Sequence, residues 1–263
     1  VNTISVCILT FNDADVIGDA ISSVRWADEV VVVDTGSADG TVGLAQSMGA
    51  RVISVPFTGF GDLRNRAAGE ARMDWVFSLD ADERCTPDVR DEMLSILKDG
   101  RSTCDAYLIA RRNYFMGRWL KGGGFYPDYR APQLFRRGML RYTLEPIHEG
   151  YELLTARAPG KLAHPIWHLP FRNLEEILFK ANRFSTLGAQ RIKSERVTMW
   201  TALGHGVWAF LRLYVFRLGF RDGWAGFVLA LANFEGTFYR YAKRHEQLQD
   251  WPAVTQGPLM RNE

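Results

Sequence analysis

The chain has 263 residues, 47% of them hydrophobic and 24% charged, the balance of a folded chain with a sizeable core rather than of a disordered or collagenous one. Thirty-two Lys and Arg against 30 Asp and Glu leave a net charge of +2, which argues against a uniformly basic, polyanion-coating surface, so nucleic acid is not an expected partner. The three cysteines, Cys7, Cys85 and Cys104, show no C-x-x-C spacing, signal neither a disulfide framework nor a zinc site, and fit a reducing cytosol.

The chain opens on a near-continuous apolar run, 4–10, that suits a buried parallel strand. It lacks the basic segment before an apolar core that marks a signal peptide, so none is expected. A helix over 14–24 follows, then the β-branched strand 29–34, stopped by Thr35-Gly36-Ser37. Asp39-Gly40 opens a helix to about 48, 51–55 is a short strand, and a helix over 63–71 leads to a fourth strand, 74–79. Pro87 starts the next helix at a favoured first-turn position. Repeated strand-helix-strand units with short links predict an α/β fold whose mostly parallel sheet is covered by helices on both faces. Such sheets bind ligands beyond the carboxyl ends of their strands.

From residue 106 the pattern changes to mixed strands and Gly- and Pro-rich loops, and helices are expected over 173–192, 198–218 and 223–244. Residues 161–263 carry 14 basic and 8 acidic groups, against 18 and 22 over 1–160. In the middle helix Trp200, Leu203, Val207, Phe210, Leu211, Tyr214, Val215 and Leu218 recur at three- and four-residue steps, giving one broad apolar face. Arg212, Arg217 and Arg221 interrupt it, so it falls short of the ~20 apolar residues of a membrane span. Two readings stay open: a helix lying on an anionic membrane surface, and an apolar stripe packed as core.

The strongest chemical signal is Asp80-Ala81-Asp82-Glu83 directly after an apolar strand. Two carboxylates one residue apart can share a hard divalent cation, Mg²⁺ or Mn²⁺, that keeps open positions for substrate phosphates. A second acidic strand end, Asp34 in Val33-Asp34-Thr35-Gly36-Ser37-Ala38-Asp39-Gly40-Thr41, lies where glycines allow close backbone approach and a helix begins. Two acidic ends in one parallel sheet imply a cleft for a ligand with hydrogen-bond donors and phosphates, a nucleotide. Further along, Arg111, Arg112, Arg118 and Lys121, interleaved with Tyr114, Phe115 and Trp119, form a basic aromatic stretch able to meet an acceptor's phosphates and sugar rings. The Gly122-Gly123-Gly124 run after it reads as a mobile flap.

With these residues in place the sequence resembles the family 2 glycosyltransferases, which have the GT-A fold and move a sugar from a nucleotide-sugar donor with inversion. The matching pieces are Cys7-Ile8-Leu9-Thr10-Phe11-Asn12, the segment 33–41, Arg64-Asn65 and Asp80-Ala81-Asp82-Glu83. The match continues into a narrower group, similar to the bacterial lipopolysaccharide-core glucosyltransferases, through Ile147-His148-Glu149-Gly150, His168, Lys180-Ala181-Asn182-Arg183 and the segment 219–226. The resemblance implies a nucleotide-sugar-binding and catalytic GT-A domain over 1–170 and a helical C-terminal region over 171–263. It implies that Thr10 and Asp34 hold the nucleobase, most often uracil, with Asn12 nearby. Arg64 and Asn65 would approach the ribose or diphosphate, Asp80 the ribose or donor sugar, and Asp82 the metal, with His168 closing over it. The expected base is Glu149, beside His148, where the family's usual acidic pair is replaced by His-Glu; Asp128 is the alternative. The expected reaction transfers a hexose, in the first instance glucose, from a UDP-sugar to a lipid-anchored glycan such as lipopolysaccharide core, at the inner face of the cytoplasmic membrane. A nucleotidyltransferase and a non-catalytic nucleotide-sugar-binding module are the alternatives.

Overall fold

The structure is a computed structural model and describes residues 2–99, 102–144 and 150–249. The chain divides into two compact units, Val1–Leu120 with Gly124–Pro170 and Phe171–Glu263 with Lys121–Gly123.

The first unit is built on the strands β1 (Ile4–Thr10), β2 (Glu29–Asp34), β3 (Arg51–Ser54) and β4 (Trp75–Asp80), joined by helices α1 (Ile17–Ser23), α2 (Thr41–Ser47) and α3 (Phe60–Glu70). β1 is buried along its whole length because it pairs in parallel with β2 on one side and β4 on the other. Its side chains alternate between two cores. Ile4, Val6 and Ile8 pack with Ile17 and Ile21 of α1, Ala45 of α2 and Val89 and Met93 of α4 (Pro87–Asp99). Cys7 and Leu9 face the other way, onto Leu63 and Ala67 of α3. These side chains are removed from water on both faces, each contributing about 1.5–3 kcal/mol, which explains the unbroken apolar runs.

The sheet then departs from a purely parallel one. β9 (Leu134–Arg136) lies antiparallel to β4 and to β6 (Ala106–Leu108), and β12 (Gly160–Lys161) closes the edge in parallel with β6. The spatial order of the seven strands is β12-β6-β9-β4-β1-β2-β3. This is the mostly parallel, helix-covered sheet expected of a GT-A fold. A hairpin of β10 (Leu140–Tyr142) and β11 (Tyr151–Leu153) adds Leu140 and Tyr142 to the α3 side of the core. A second sheet has the order β5 (Glu83–Arg84), β13 (Ile166–His168), β7 (Arg111–Phe115) and β8 (Arg118–Trp119).

Helix α1 starts three residues later than the sequence predicts. Asp13 accounts for the delay: its carboxylate accepts from Thr10 Oγ1 at 2.9 Å and from Phe11 N–H at 3.0 Å, fixing a turn before the helix begins.

The second unit consists of α5 (Leu174–Ala189), α6 (Met199–Leu211) and α7 (Gly223–Gln247). Asn173 Oδ1 caps α5 by accepting from Glu176 N–H, and Thr198 with Thr201 forms a capping box on α6. The predicted helix 198–218 is shorter, because α6 gives way to a π-helical turn over Arg212–Phe216 and a 3₁₀ turn over Gly219–Asp222. At this corner a Cβ on Gly226 would lie 2.0 Å from the Gly219 carbonyl oxygen, so α7 needs glycine to approach that closely. Residues 121–123 do not form the free flap that three glycines in a row predict. Lys121 and Gly122 N–H donate to the Asp222 carboxylate at 2.9 and 2.8 Å, and Gly123 N–H to Arg217 O at 2.7 Å.

Candidate active site

Register aligns the acidic strand ends. Thr10 sits beside Asp34, and Leu9 beside Asp80, so the carboxyl ends of β1, β2 and β4 bring Thr10, Asp34 and Asp80 to one edge of the sheet.

Asp34 is 2% exposed, and its Oδ2 accepts from Gly36 N–H at 2.9 Å and Ser37 N–H at 3.0 Å. It therefore ties down the loop whose glycine, with φ of 101°, needs the freedom of a missing Cβ. Asn12 clasps the same loop: its Oδ1 accepts from Ala38 N–H at 2.9 Å, and its own N–H donates to Ser37 Oγ at 2.8 Å. Thr10, Asn12 and Asp34 thus meet in one hydrogen-bonded corner.

Arg64 and Asn65, adjacent in α3, point to different tasks. Arg64 Nη2 lies 2.8 Å from Asp80 Oδ1, and Nη1 donates to Ser78 Oγ at 3.0 Å. Burial alone would raise the Asp80 pKa, but the charge and hydrogen bond of Arg64, with Arg111 and His168 behind, bring it down to about 2, so this carboxyl stays ionised. Asn65 spends its amide on one backbone residue, donating to Tyr142 O and accepting from Tyr142 N–H, each at 2.8 Å. It acts as a clip between α3 and β10.

Beyond Asp80 the chain turns back on itself, and Asp80 N–H donates to Glu83 Oε2 at 3.0 Å. Glu83 is fully buried. It pairs with Arg111 Nε and accepts from Gln133 Nε2 at 2.9 Å. Arg111 is itself 4% exposed, which takes it out of the basic aromatic stretch read as able to meet an acceptor's phosphates. Burial opposes its charge, yet Glu83 and Asp80 outweigh this and raise its pKa. Its neighbour Arg112 packs its guanidinium 4.6 Å from the Trp119 ring centroid.

The β5–β13–β7 register sets His168 between Glu83 and Asn113. His168 Nε2 lies 3.5 Å from Asp82 Oδ2, and Nδ1 lies 2.6 Å from Asn113 Oδ1. The Asn113 amide orientation follows from its other end, where Nδ2 donates to Phe125 O at 2.6 Å; its oxygen must face the ring, so Nδ1 carries the hydrogen. That leaves Nε2 directed at Asp82. Burial works against protonation of this ring, but the hydrogen bond and charge of Asp82, then Glu83, hold its pKa above the ordinary imidazole value.

A carboxylate oxygen and an imidazole nitrogen 3.5 Å apart, with the second ring nitrogen oriented by an outer carbonyl, make a donor pair that could be shared by a divalent cation. Among the described residues no third His, Cys, Asp or Glu joins them. Two protein ligands fit Mg²⁺ or Mn²⁺, which keep water and take substrate phosphate oxygens for the remaining positions.

Asp128 bridges to the first residue of β7, its carbonyl accepting from Arg111 N–H at 3.2 Å, and its carboxylate is 3.2 Å from Arg130 Nη2. His148 and Glu149 lie outside the described residues. Sequence reasoning passed over Asn113, Gln133 and the role of Glu83. The alternating burial of Arg111, Asn113 and Phe115 is the period-two pattern that marks Asn113 as inward-facing.

The sequence model described as Glycosyl transferase family 2 matches residues 5–154, which takes in every site residue above except His168. The chain belongs to glycosyl transferase family 2. This family 2 enzyme is 32% identical to the lipopolysaccharide core biosynthesis glycosyltransferase LpsC of Rhizobium meliloti, over 93% of this chain and 92% of that one. An uncharacterised glycosyltransferase of Rickettsia felis is 28% identical over 93% and 90% of the respective chains. Glucosyl-3-phosphoglycerate synthase from Mycobacterium tuberculosis, solved with Mn²⁺, UDP-glucose and phosphoglyceric acid, is 27% identical, with a TM-score of 0.37 over 42% of this chain and 44% of that one, an overlap too partial to transfer a ligand. Family membership sets the nucleotidyltransferase alternative aside.

Proposed function

We propose that this glycosyltransferase moves a hexose, in the first instance glucose, from a UDP-sugar to a lipid-anchored glycan of the lipopolysaccharide-core type, with inversion and with the help of a divalent cation. The observation that carries the reading is the pairing of Asp82 with an oriented His168 next to the Arg64-clamped Asp80; the relationship to LpsC supports the acceptor class.

In this scheme Asp34 and Thr10 receive the nucleobase, Asn12 keeps their loop in place, and Asp80 receives the ribose or donor sugar. Arg64 holds Asp80 ionised and oriented, while Asn65 fixes the helix that carries Arg64. Asp82 and His168 hold the cation, which would neutralise charge on the departing diphosphate. An acceptor hydroxyl gives its proton to Glu149 as its oxygen bonds to the anomeric carbon; the bond from that carbon to the diphosphate oxygen breaks, and UDP leaves with the electron pair. Asp128 is less suited to the role because its carboxylate is engaged by Arg130. The test is transfer from UDP-glucose to deacylated or intact core lipid, read as UDP release and as the anomeric configuration of the product. Wild type is expected to give the inverted anomer, and Glu149→Ala to lose turnover while binding UDP-glucose as before. Turnover unchanged in Glu149→Ala removes Glu149 as base, and a retained anomeric configuration removes the inverting mechanism.

The acceptor's lipid anchor calls for contact with the inner face of the cytoplasmic membrane. No helix of the described residues is long and apolar enough to cross one. Trp200, Phe216 and Trp224 are 81%, 65% and 64% exposed in the second unit, and Arg212, Arg217 and Arg221 are exposed as well. Phe210 and Tyr214 instead pack around Phe227. Exposed aromatics insert at an interface, and each Arg adds about 1 kcal/mol on anionic lipid. In a flotation assay the protein is expected to rise with vesicles containing phosphatidylglycerol, and to stay below when these three arginines are changed to Ser. Recovery wholly in the soluble fraction with anionic vesicles contradicts peripheral binding.

A further inference from the structure

Besides Phe11, 56% exposed directly after β1, two large aromatic side chains stand open where the chain passes from β3 into α3, and the scheme above gives them no task. Phe57 and Phe60 are 52% and 51% exposed. They hold each other edge to face, with ring centroids 5.3 Å apart.

Their place in the fold is fixed on both sides. The chain leaves β3 beside β2, where Asp34 pairs with Ser54 and Val55 N–H donates to Asp34 O at 2.9 Å; Phe57 follows two residues on. Phe60 begins α3 one turn before Arg64, so the two share a face of the helix. That face rests on the sheet through Leu63 and Ala67 and carries Arg64 to Asp80. The connecting loop is pinned, because Thr58 Oγ1 donates to Asp62 in the first turn of α3. Along the chain the pair therefore lies between the strand that runs beside Asp34 and the helix turn that carries Arg64 to Asp80.

Leaving two phenyl side chains half exposed to water is unfavourable. A planar ligand with a π face would recover that loss, and one that also carries a ring N–H could meet the Asp34 carboxylate, whose Oδ1 accepts from Ser37 N–H at 3.3 Å. A nucleobase has both properties; a diphosphate has neither, and a hexose offers only a C–H face. We infer that Phe57 and Phe60 form the platform on which the donor's nucleobase stacks. This rests on the nucleotide-donor reading and adds the residues that hold its base.

The experiment compares wild type, Phe57→Ala, Phe60→Ala and Phe57→Tyr in calorimetric titrations with Mn²⁺ present. The ligands are whichever of UDP, GDP and ADP wild type binds best, its glucose-bearing form, and pyrophosphate. Each Ala variant is expected to bind the nucleotide about five- to a hundredfold more weakly, with pyrophosphate affinity unchanged and the Tyr variant close to wild type. Because both rings are exposed, unchanged pyrophosphate binding also reports an intact fold. Nucleotide affinity unchanged in both Ala variants overturns the inference, as does equal weakening of nucleotide and pyrophosphate, or a loss confined to the sugar-bearing ligand. Failure of wild type to bind any nucleotide overturns the donor reading and this inference together, whereas failure of the inference alone appears only in the variants.

Discussion

The Asp82→Asn enzyme is expected to transfer sugar about a hundred- to a thousandfold more slowly than wild type, the loss that follows when charge developing on a leaving group goes unneutralised. The substitution keeps shape and removes charge from the partner of His168 Nε2. The side chain is 32% exposed and the Asn side-chain oxygen can still face His168 Nε2, so the melting temperature should stay near wild type. Loss of rate with stability kept assigns Asp82 to the chemistry. Full activity in Asp82→Asn at saturating donor contradicts the proposed cation site.

The largest effect on stability is expected one layer below. Arg111→Met leaves the Glu83 carboxylate, fully buried, with hydrogen bonds from Asp80 N–H and Gln133 but without its counter-charge. Breaking a buried pair from one side costs about 3–5 kcal/mol, which in a chain of this size lowers the melting temperature by on the order of 10 °C. The double variant Glu83→Gln with Arg111→Met should recover much of the loss, because no unpaired charge remains inside. Thermal unfolding of the singles and the double checks this; a near-wild-type midpoint for Arg111→Met shows that the pair is not isolated from water. The effect on activity should follow through Asp80, whose N–H is held by Glu83.

Much of this arrangement was legible before any coordinates. Residues 6–9 and 31–33 are apolar without a break because both faces are covered, and the polar Thr10 and acidic Asp34 that end the two strands mark the ligand edge. What escaped the sequence has physical reasons. Leu134–Arg136 is three residues long and carries no readable period, yet it reverses the strand direction beside β4. Glu83 looks like the end of an acidic turn, but tertiary contact with Arg111 and Gln133 buries it. Asn65 reads as a ligand contact beside Arg64, whereas its amide is held by the Tyr142 backbone 77 residues away. The glycines at 122 and 123 suggest mobility, and only the distant Asp222 and Arg217 show them to be clamped. Local pattern reports which face of an element is apolar; it does not report which distant polar group will meet it.

The most direct test of the central claim is calorimetric titration of the wild-type protein with UDP-glucose, UDP, GDP and ADP, each with and without Mn²⁺. The account predicts that UDP and UDP-glucose bind in the presence of Mn²⁺, bind much more weakly in its absence, and are preferred over GDP and ADP. Binding of no nucleotide, or binding of UDP-glucose that is indifferent to Mn²⁺, would contradict the assignment of Asp82 and His168 to a cation that meets the donor diphosphate.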